Sequence, residues 1–325
     1  MIRGAILTRR CGLGTKYMIE RQGSDWQLSI ATCPVNWNNN DLSNWRPVTP
    51  FPTILDRMRE AGYRATEYDG LFGTDVATVQ EEIESRKMVL TGSYQWVDFL
   101  ERGDQSSAYD DLRPTLQFLA DIECPNLIVS DSLRPHRIAL AGRVPADGSA
   151  SLDNSSYQQI ADGVHAVARI AREHGIGVRY HNHVGSWIEA PHELDALLRH
   201  LDTSIANLCF DTGHYAYGGG IPFRFIRDHI RDIGYLHLKD VDTAAVADAR
   251  DRKLTFLEAL REIVFSPVGA GAANIAGILS ILVESQFDGW VVVEQDTCSG
   301  DPTAAARANL AFIQQSLNVL QTSGR

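Results

Sequence analysis

A (β/α)8 barrel of the TIM type is the fold this sequence predicts, and three observations carry it. Apolar, β-like runs alternate with helix-like stretches eight times over about 300 residues, the count and size of such a barrel. The first run is followed by CPVNWNNND, which lacks the glycine-rich phosphate turn of a doubly wound open sheet. Four runs in the second half each stop at a metal-ligand side chain: IGVRYHNH at His181 and His183, NLCFDTGH at Asp211 and His214, IGYLHLKD at His237, and GWVVVEQD at Glu294. Four such endings in succession describe a ring of ligands at the carboxyl-end mouth of a parallel barrel, where these folds keep their chemistry.

The elements follow in order. WQLSIATC (26–33) is the first strand, and 51–63 is a helix with apolar residues at helical spacing. Strands at 63–70, 87–96 and 125–132 alternate with helices at 75–86 and 109–122. A long amphipathic helix at 154–174 ends before Gly175, a residue suited to the left-handed turn that closes helices. Strand five (176–183) precedes a helix at 191–201 with Pro191 in its first turn. Strand six (207–213), a helix at 221–230, strands seven (233–240) and eight (287–296), and a last helix at 302–320 complete the chain. Two connections are long, 132–153 and 240–273, and the second is expected to hold a short helix at 254–264. Long loops on this side of a barrel cover active sites. Residues 1–25 fit no part of the barrel and are expected to form a flexible or peripheral extension, with 26–325 as a single domain.

Composition narrows the partners. A net charge of −11 disfavours nucleic acid and anionic membrane, which need a cationic face. No apolar stretch approaches the ~20 residues of a membrane span, and no secretory signal is evident. The five cysteines form no CxxC pair, which suits free thiols in a reducing compartment, so a cytoplasmic location is expected.

Asp211, His237 and Glu294 offer two carboxylates and one imidazole. That mixed set suits a divalent cation, Mn²⁺ or Co²⁺ first, with Mg²⁺, Fe²⁺ and Zn²⁺ as alternatives. A fourth ligand is expected from strand five, either His181 or, a little further on, Glu189. His183 and His214 are placed as substrate contacts, catalytic groups or donors that orient a carboxylate. Lys239 lies two residues past His237, so alternation sends both side chains to one face. It can serve there as a proton donor or charge stabiliser, or pair with Asp211 or Asp240. Glu67, Asn38, Trp37 and Glu189 are candidate substrate-binding residues.

The run from YHNHVGSWIEAPHELDALL through CFDTGHYAYGGGIPFRFIRDHIRDIGYLHLKDVD, with CPVNWNNNDL, PVGAGAANIAGILSIL and GWVVVEQD, resembles the sugar phosphate isomerase/epimerase family, built on the xylose isomerase-like TIM barrel. The likeness covers about residues 27–320. The HNHVG and NWNN segments resemble its inosose dehydratase branch more narrowly. The resemblance implies that Asp211, His237 and Glu294 are metal ligands and that His181 stands where many relatives carry a glutamate. Epimerases of the family use that glutamate and the last-strand glutamate as acid–base groups on opposite faces of the substrate. With histidine there, the resemblance implies a metal-dependent dehydratase acting on a cyclic polyol ketone, with Glu294 as base as well as ligand and His183 or His214 as acid. A keto-sugar isomerase or epimerase on the same metal is the alternative. The partner is a small polyol or keto-sugar, and self-association through the covering loops is expected.

Overall fold

In this computed structural model the described residues are 27–323 and the backbone of Thr15–Met18. Eight parallel strands close into a barrel: β1 (Gln27–Thr32), β2 (Ala65–Tyr68), β3 (Val89–Val97), β4 (Asn126–Asp131), β5 (Gly177–His181), β6 (Asn207–Asp211), β7 (Ile233–Leu238) and β8 (Trp290–Val293). Each pairs with its sequence neighbour, and β1 closes the ring by pairing with β8 and, through Thr32 and Thr66, with β2. The helices packed outside are α1 (Phe51–Ala61), α2 (Val76–Ser85), α3 (Arg113–Asp121), α4 (Asn154–Glu173), α5 (Pro191–Leu198), α6 (Pro222–His229), α7 (Ile275–Glu284) and α8 (Pro302–Ser323). The expected extension lies outside the described residues except for Thr15–Met18, which pairs antiparallel with Gln27–Ile30.

Local chemistry explains most boundaries. Gly175 has φ +74°, and its N–H reaches Arg172 O, closing α4 as the sequence predicts. The helix expected over 109–122 is split: Ser106–Leu112 is a 3-10 turn and α3 begins at Arg113. Pro114 sits at its start, where the missing N–H costs no helical bond. The 132–153 connection carries a helical turn, Pro135–Leu140. The 240–273 connection holds two helices, Thr243–Asp251 and Phe256–Arg261, and a two-residue ribbon pairing Asp240–Val241 with Phe265–Ser266. The expected 254–264 helix therefore ends at Arg261, and the helix that packs on the barrel after β7 is α7.

Three apolar clusters result. The largest lies between strands and outer helices. Ala31, Ala65, Ile128, Cys209, Tyr235 and Val292 fill the barrel interior beneath the mouth. A third joins Leu42, Ala141, Val184 and Tyr217 to Phe256, Leu260 and Phe265 of the long connection, capping one side of the mouth. The described cysteines, Cys33, Cys124, Cys209 and Cys298, are free and buried; Cys11 lies outside the described residues. No helix among the described residues is long and apolar enough to cross a membrane.

A buried ion pair ties two mouth loops together. Arg137 Nη2 donates to Glu193 Oε2 at 2.7 Å with both side chains at 0% exposure. The same guanidinium donates to Ser186 O and Ala150 O, and Glu193 accepts the N–H groups of Glu189 and Ala190. Removing one partner strands the other charge away from water. Arg137→Ala is expected to lower unfolding stability by ~3–5 kcal/mol in urea titration. A loss under ~1 kcal/mol, the range of an exposed pair, would contradict this burial.

Candidate active site at the barrel mouth

A cavity of about 470 Å³ opens at the carboxyl ends of the strands. Its wall includes Cys33, Asn38, Glu67, Tyr94, Trp96, His181, His183, His214, His237, Lys239, Glu294 and Asp296. The strand ends place the key groups. His181 closes β5 and Asp211 closes β6, while His237 lies opposite Asp211 in the register of β6 with β7. Glu294 follows β8, and its N–H bonds to Leu238 O at 3.2 Å.

Asp211 has a divided role. Its Oδ1 accepts the His214 N–H at 2.7 Å and caps the short helix Thr212–Tyr217. Its backbone is clamped by Asn182, which accepts the Asp211 N–H at 2.9 Å and donates to its carbonyl at 3.2 Å. That leaves Oδ2 buried, 3.4 Å from His181 Nε2 and 3.8 Å from His237 Nδ1. Glu294 Oε2 lies 3.2 Å from the same Nδ1. Asp211, His237 and Glu294 each offer a donor atom within 4.8 Å of the others, and His181 forms a second such group with Asp211 and His214. Asp211 Oδ2 and His237 Nδ1 are buried without a hydrogen-bond partner. A carboxylate oxygen and a ring nitrogen, both buried without a hydrogen bond in a mixed oxygen and nitrogen set, fit a divalent cation.

Lys239 enters the same space. Its Nζ lies 3.3 Å from Asp211 Oδ2, 3.1 Å from Glu294 Oε2, 2.8 Å from Asp296 Oδ1 and 3.2 Å from His214 Nε2. The alternative partner Asp240 is engaged elsewhere, accepting the N–H groups of Val241, Gly269, Gly271 and Ala273. Gly213 of the DTGH segment makes room for the lysine: a Cβ there would come within 2.6 Å of Lys239 Cγ.

Burial and neighbouring charge oppose each other throughout. Burial disfavours the charged form of Lys239, but Asp211, Asp296 and Glu294 hold its pKa well above the usual range. Burial works against ionised Glu294 and is outweighed by His237 and Lys239, which hold it well below the carboxylate range. Asp211 is lowered in the same way, burial being outweighed by Lys239 and His181. Burial pushes Asp296 up to about 7 despite Lys239. Burial also lowers His181, and lowers His183 and His214 strongly. His237 goes the other way: burial is outweighed by Cys209, Glu294 and Glu67.

The expected residues do not all converge. His181, His183, His214, His237, Lys239, Glu294 and Glu67 line the cavity, with Asp211 directly behind them. Asn38 lines it too, but its amide is locked to the backbone of Thr49 at 2.8 and 2.9 Å. Trp37 is buried outside the cavity wall, its indole N–H donating to Thr303 Oγ1 at 3.2 Å. Glu189 is turned away, accepting Gly142 N–H at 2.7 Å and Gly185 N–H at 2.8 Å. Of the two strand-five candidates, the geometry therefore brings His181 to the mouth and leaves Glu189 out. Asp296, Tyr94 and Trp96 were not singled out from sequence. Asp296 had a signal, since it follows Glu294 by the two-residue spacing that places Lys239 after His237.

The xylose isomerase-like TIM barrel description matches residues 55–316. The chain belongs to that family. A protein named inosose dehydratase from Clostridium botulinum is 25% identical over 296 residues, covering 90% of this chain and 98% of the relative. Among solved structures, a probable 3-DHS dehydratase of petrobactin synthesis from Bacillus anthracis superposes with TM-score 0.67 at 13% identity, over 88% of this chain and 98% of that one. An L-ribulose 3-epimerase superposes with TM-score 0.64 at 15% identity, over 91% and 96%.

Glu189 gives a test of this electrostatic picture away from the ligand cluster. Burial raises its pKa from 4.5 to about 7, against the Gly185 and Gly142 N–H groups and Arg137. A carboxyl with a raised folded-state pKa contributes stability below its unfolded pKa and loses it as pH rises through the folded value. The stability of the protein relative to Glu189→Gln should therefore fall between pH 4.5 and about 7 and stay level on either side. Thermal melts of both proteins across that range check this; a pH-independent difference would overturn it.

Proposed function

We propose that this protein is a divalent-metal-dependent dehydratase acting on an uncharged cyclic polyol ketone. The observation that carries the reading is the company of Glu294. Two-base epimerisation needs a second free carboxylate facing it across the substrate. At the strand-five position the cavity instead presents His181, while the nearby Glu189 is committed to two backbone N–H groups. The inosose dehydratase name carried by the Clostridium botulinum relative supports the same reaction class.

The charge of the wall narrows the substrate. Asp41, Glu67, Asp69, Glu294 and Asp296 line the cavity together with the Lys239 ammonium, and no arginine is among its described lining residues. Phosphate or carboxylate on a substrate would meet repulsion without the guanidinium fork that recognises such groups. A neutral polyol, whose hydroxyls donate to carboxylates, suits the wall.

Asp211, His237, Glu294 and His181 would hold a divalent cation, which would supply Lewis acidity beside a ketone. The chain's own groups do the rest. His183 Nδ1 donates to Val184 O at 2.7 Å, so its neutral ring keeps Nε2 as the proton acceptor. On this reading His183 takes the proton beside the ketone and returns it to the departing β-hydroxyl, which leaves as water. The Lys239 ammonium stabilises negative charge developing on the substrate oxygen. Trp96, edge-on to His183 with ring centroids 4.9 Å apart, and Phe256 at 5.5 Å hold the imidazole in place.

Incubation of the Mn²⁺-loaded protein with 2-keto-myo-inositol should give a product lighter by one water, with the ultraviolet absorption of an enone, and chelation should abolish it. A stereoisomer of unchanged mass would move the assignment to the epimerases. His183→Ala should lower turnover by about 10²–10⁴-fold, the usual weight of general acid–base catalysis, while metal content stays at the parent level. Unchanged turnover would remove His183 from the proton-transfer role.

A further inference from the structure

We infer that Glu67 is a positioning residue that reaches across the barrel mouth to hold His237 with Nδ1 aimed at the cation site. The inference rests on the proposed metal site. Glu67, on β2 and 2% exposed, lies opposite His237 of β7, three strand pairings away around the ring through β1 and β8. Its Oε1 accepts from His237 Nε2 at 2.8 Å and from Tyr235 O–H at 2.9 Å. Its Oε2 accepts from the Cys33 thiol at 3.2 Å. The tyrosine is itself oriented, because Thr91 Oγ1 lies 2.7 Å from its oxygen. Tyr235 gives its only proton to Glu67, and the single Thr91 hydroxyl proton faces both the tyrosine oxygen and Thr66 O, 3.3 Å away. Gly92 is needed at this crossing: a Cβ there would come within 3.2 Å of the tyrosine oxygen and 2.6 Å of Ile128 Cδ1.

Three donors, His237 and Tyr235 from β7 and Cys33 just after β1, thus converge on one carboxylate, which acts only as an acceptor. The consequence falls on His237. With Nε2–H tied to Glu67, the ring nitrogen left to bind a cation is Nδ1, buried without a hydrogen-bond partner beside Asp211 Oδ2 and Glu294 Oε2. If Glu67 is removed, nothing prevents the ring from settling as the Nδ1–H form, which can donate to Glu294 at 3.2 Å and close the site on itself. A carboxylate behind a ligating histidine also raises its basicity toward the metal, and such partners matter nearly as much as the ligands.

The test measures metal affinity and ring orientation separately. In Mn²⁺ titrations followed by electron paramagnetic resonance, Glu67→Gln should weaken binding by about 10–100-fold, and Tyr235→Phe should weaken it less. Glu67→Gln keeps the shape of the side chain, and circular dichroism confirms that it folds. In ¹⁵N-histidine spectra of the metal-free protein, the hydrogen-bonded Nε2–H proton of His237 should lie far downfield and move upfield in Glu67→Gln. Parent affinity in Glu67→Gln together with an unmoved resonance would overturn the inference. If the parent protein binds no Mn²⁺, the metal reading fails by itself, and the Nε2–H resonance alone decides whether Glu67 holds the ring.

Discussion

The mouth of this barrel depends on one ammonium ion. Asp211, Glu294 and Asp296 are all nearly or fully buried, and three carboxylates that close repel strongly at low dielectric. Lys239 Nζ lies within 3.3 Å of an oxygen of each. Burying an ion is tolerated only where opposite charge and hydrogen bonds replace water, and here each party supplies that for the others. The backbone is shaped to the same end. Thr212 Oγ1 accepts the Lys239 N–H at 2.9 Å and donates to the Lys239 carbonyl at 2.6 Å, and Gly213 leaves space for the lysine stem. The DTG of β6 is therefore read twice, as a cap for the following helix and as the seat of the lysine from β7.

The same economy appears at each acidic group. Asp211 commits one oxygen to a helix cap and leaves the other without a hydrogen bond, facing the Lys239 ammonium. Glu67 has both oxygens engaged and acts through His237. Glu189 and Asp240 are wholly consumed by backbone N–H groups, two and four of them. Whether a carboxylate near a strand end is available to a ligand is thus decided by which amides the neighbouring loops turn toward it.

That is also where sequence reading succeeds and stops. The barrel and the gathering of candidate ligand side chains at its mouth are legible because both follow from local rules: strand periodicity, termination at polar residues, and the alternation that puts His237 and Lys239 on one face. Trp37 and Glu189 sit close to strand ends in sequence, but their partners, Thr303 and Gly142, are 266 and 47 residues away. The apolar cap over the mouth draws on Leu42, Ala141, Tyr217 and Phe265, a set with no period. The helix after β7 was obscured for another reason. IAGILSILVE is apolar nearly all round, so no stripe marks it as the α7 that packs on the barrel.

Charge counting links the His181 position to the proposed chemistry. Asp211 and Glu294 together carry two negative charges, and His181, lowered by burial, is held neutral. On the proposed reading, a divalent cation held by this set would be just neutralised. A glutamate at position 181 would leave an excess negative charge, opposed to any negative charge developing on a bound ketone. With histidine, the Lys239 ammonium, shared with Asp296, remains as the local counter-charge, and it is buried at 2% exposure, where such interactions are strong. On the proposed reading, a neutral group at the strand-five position would remove a carboxylate base from one face of the substrate and leave the site better able to stabilise charge at the carbonyl. Both changes favour expelling a hydroxyl from the activated ketone over returning a proton to its opposite face.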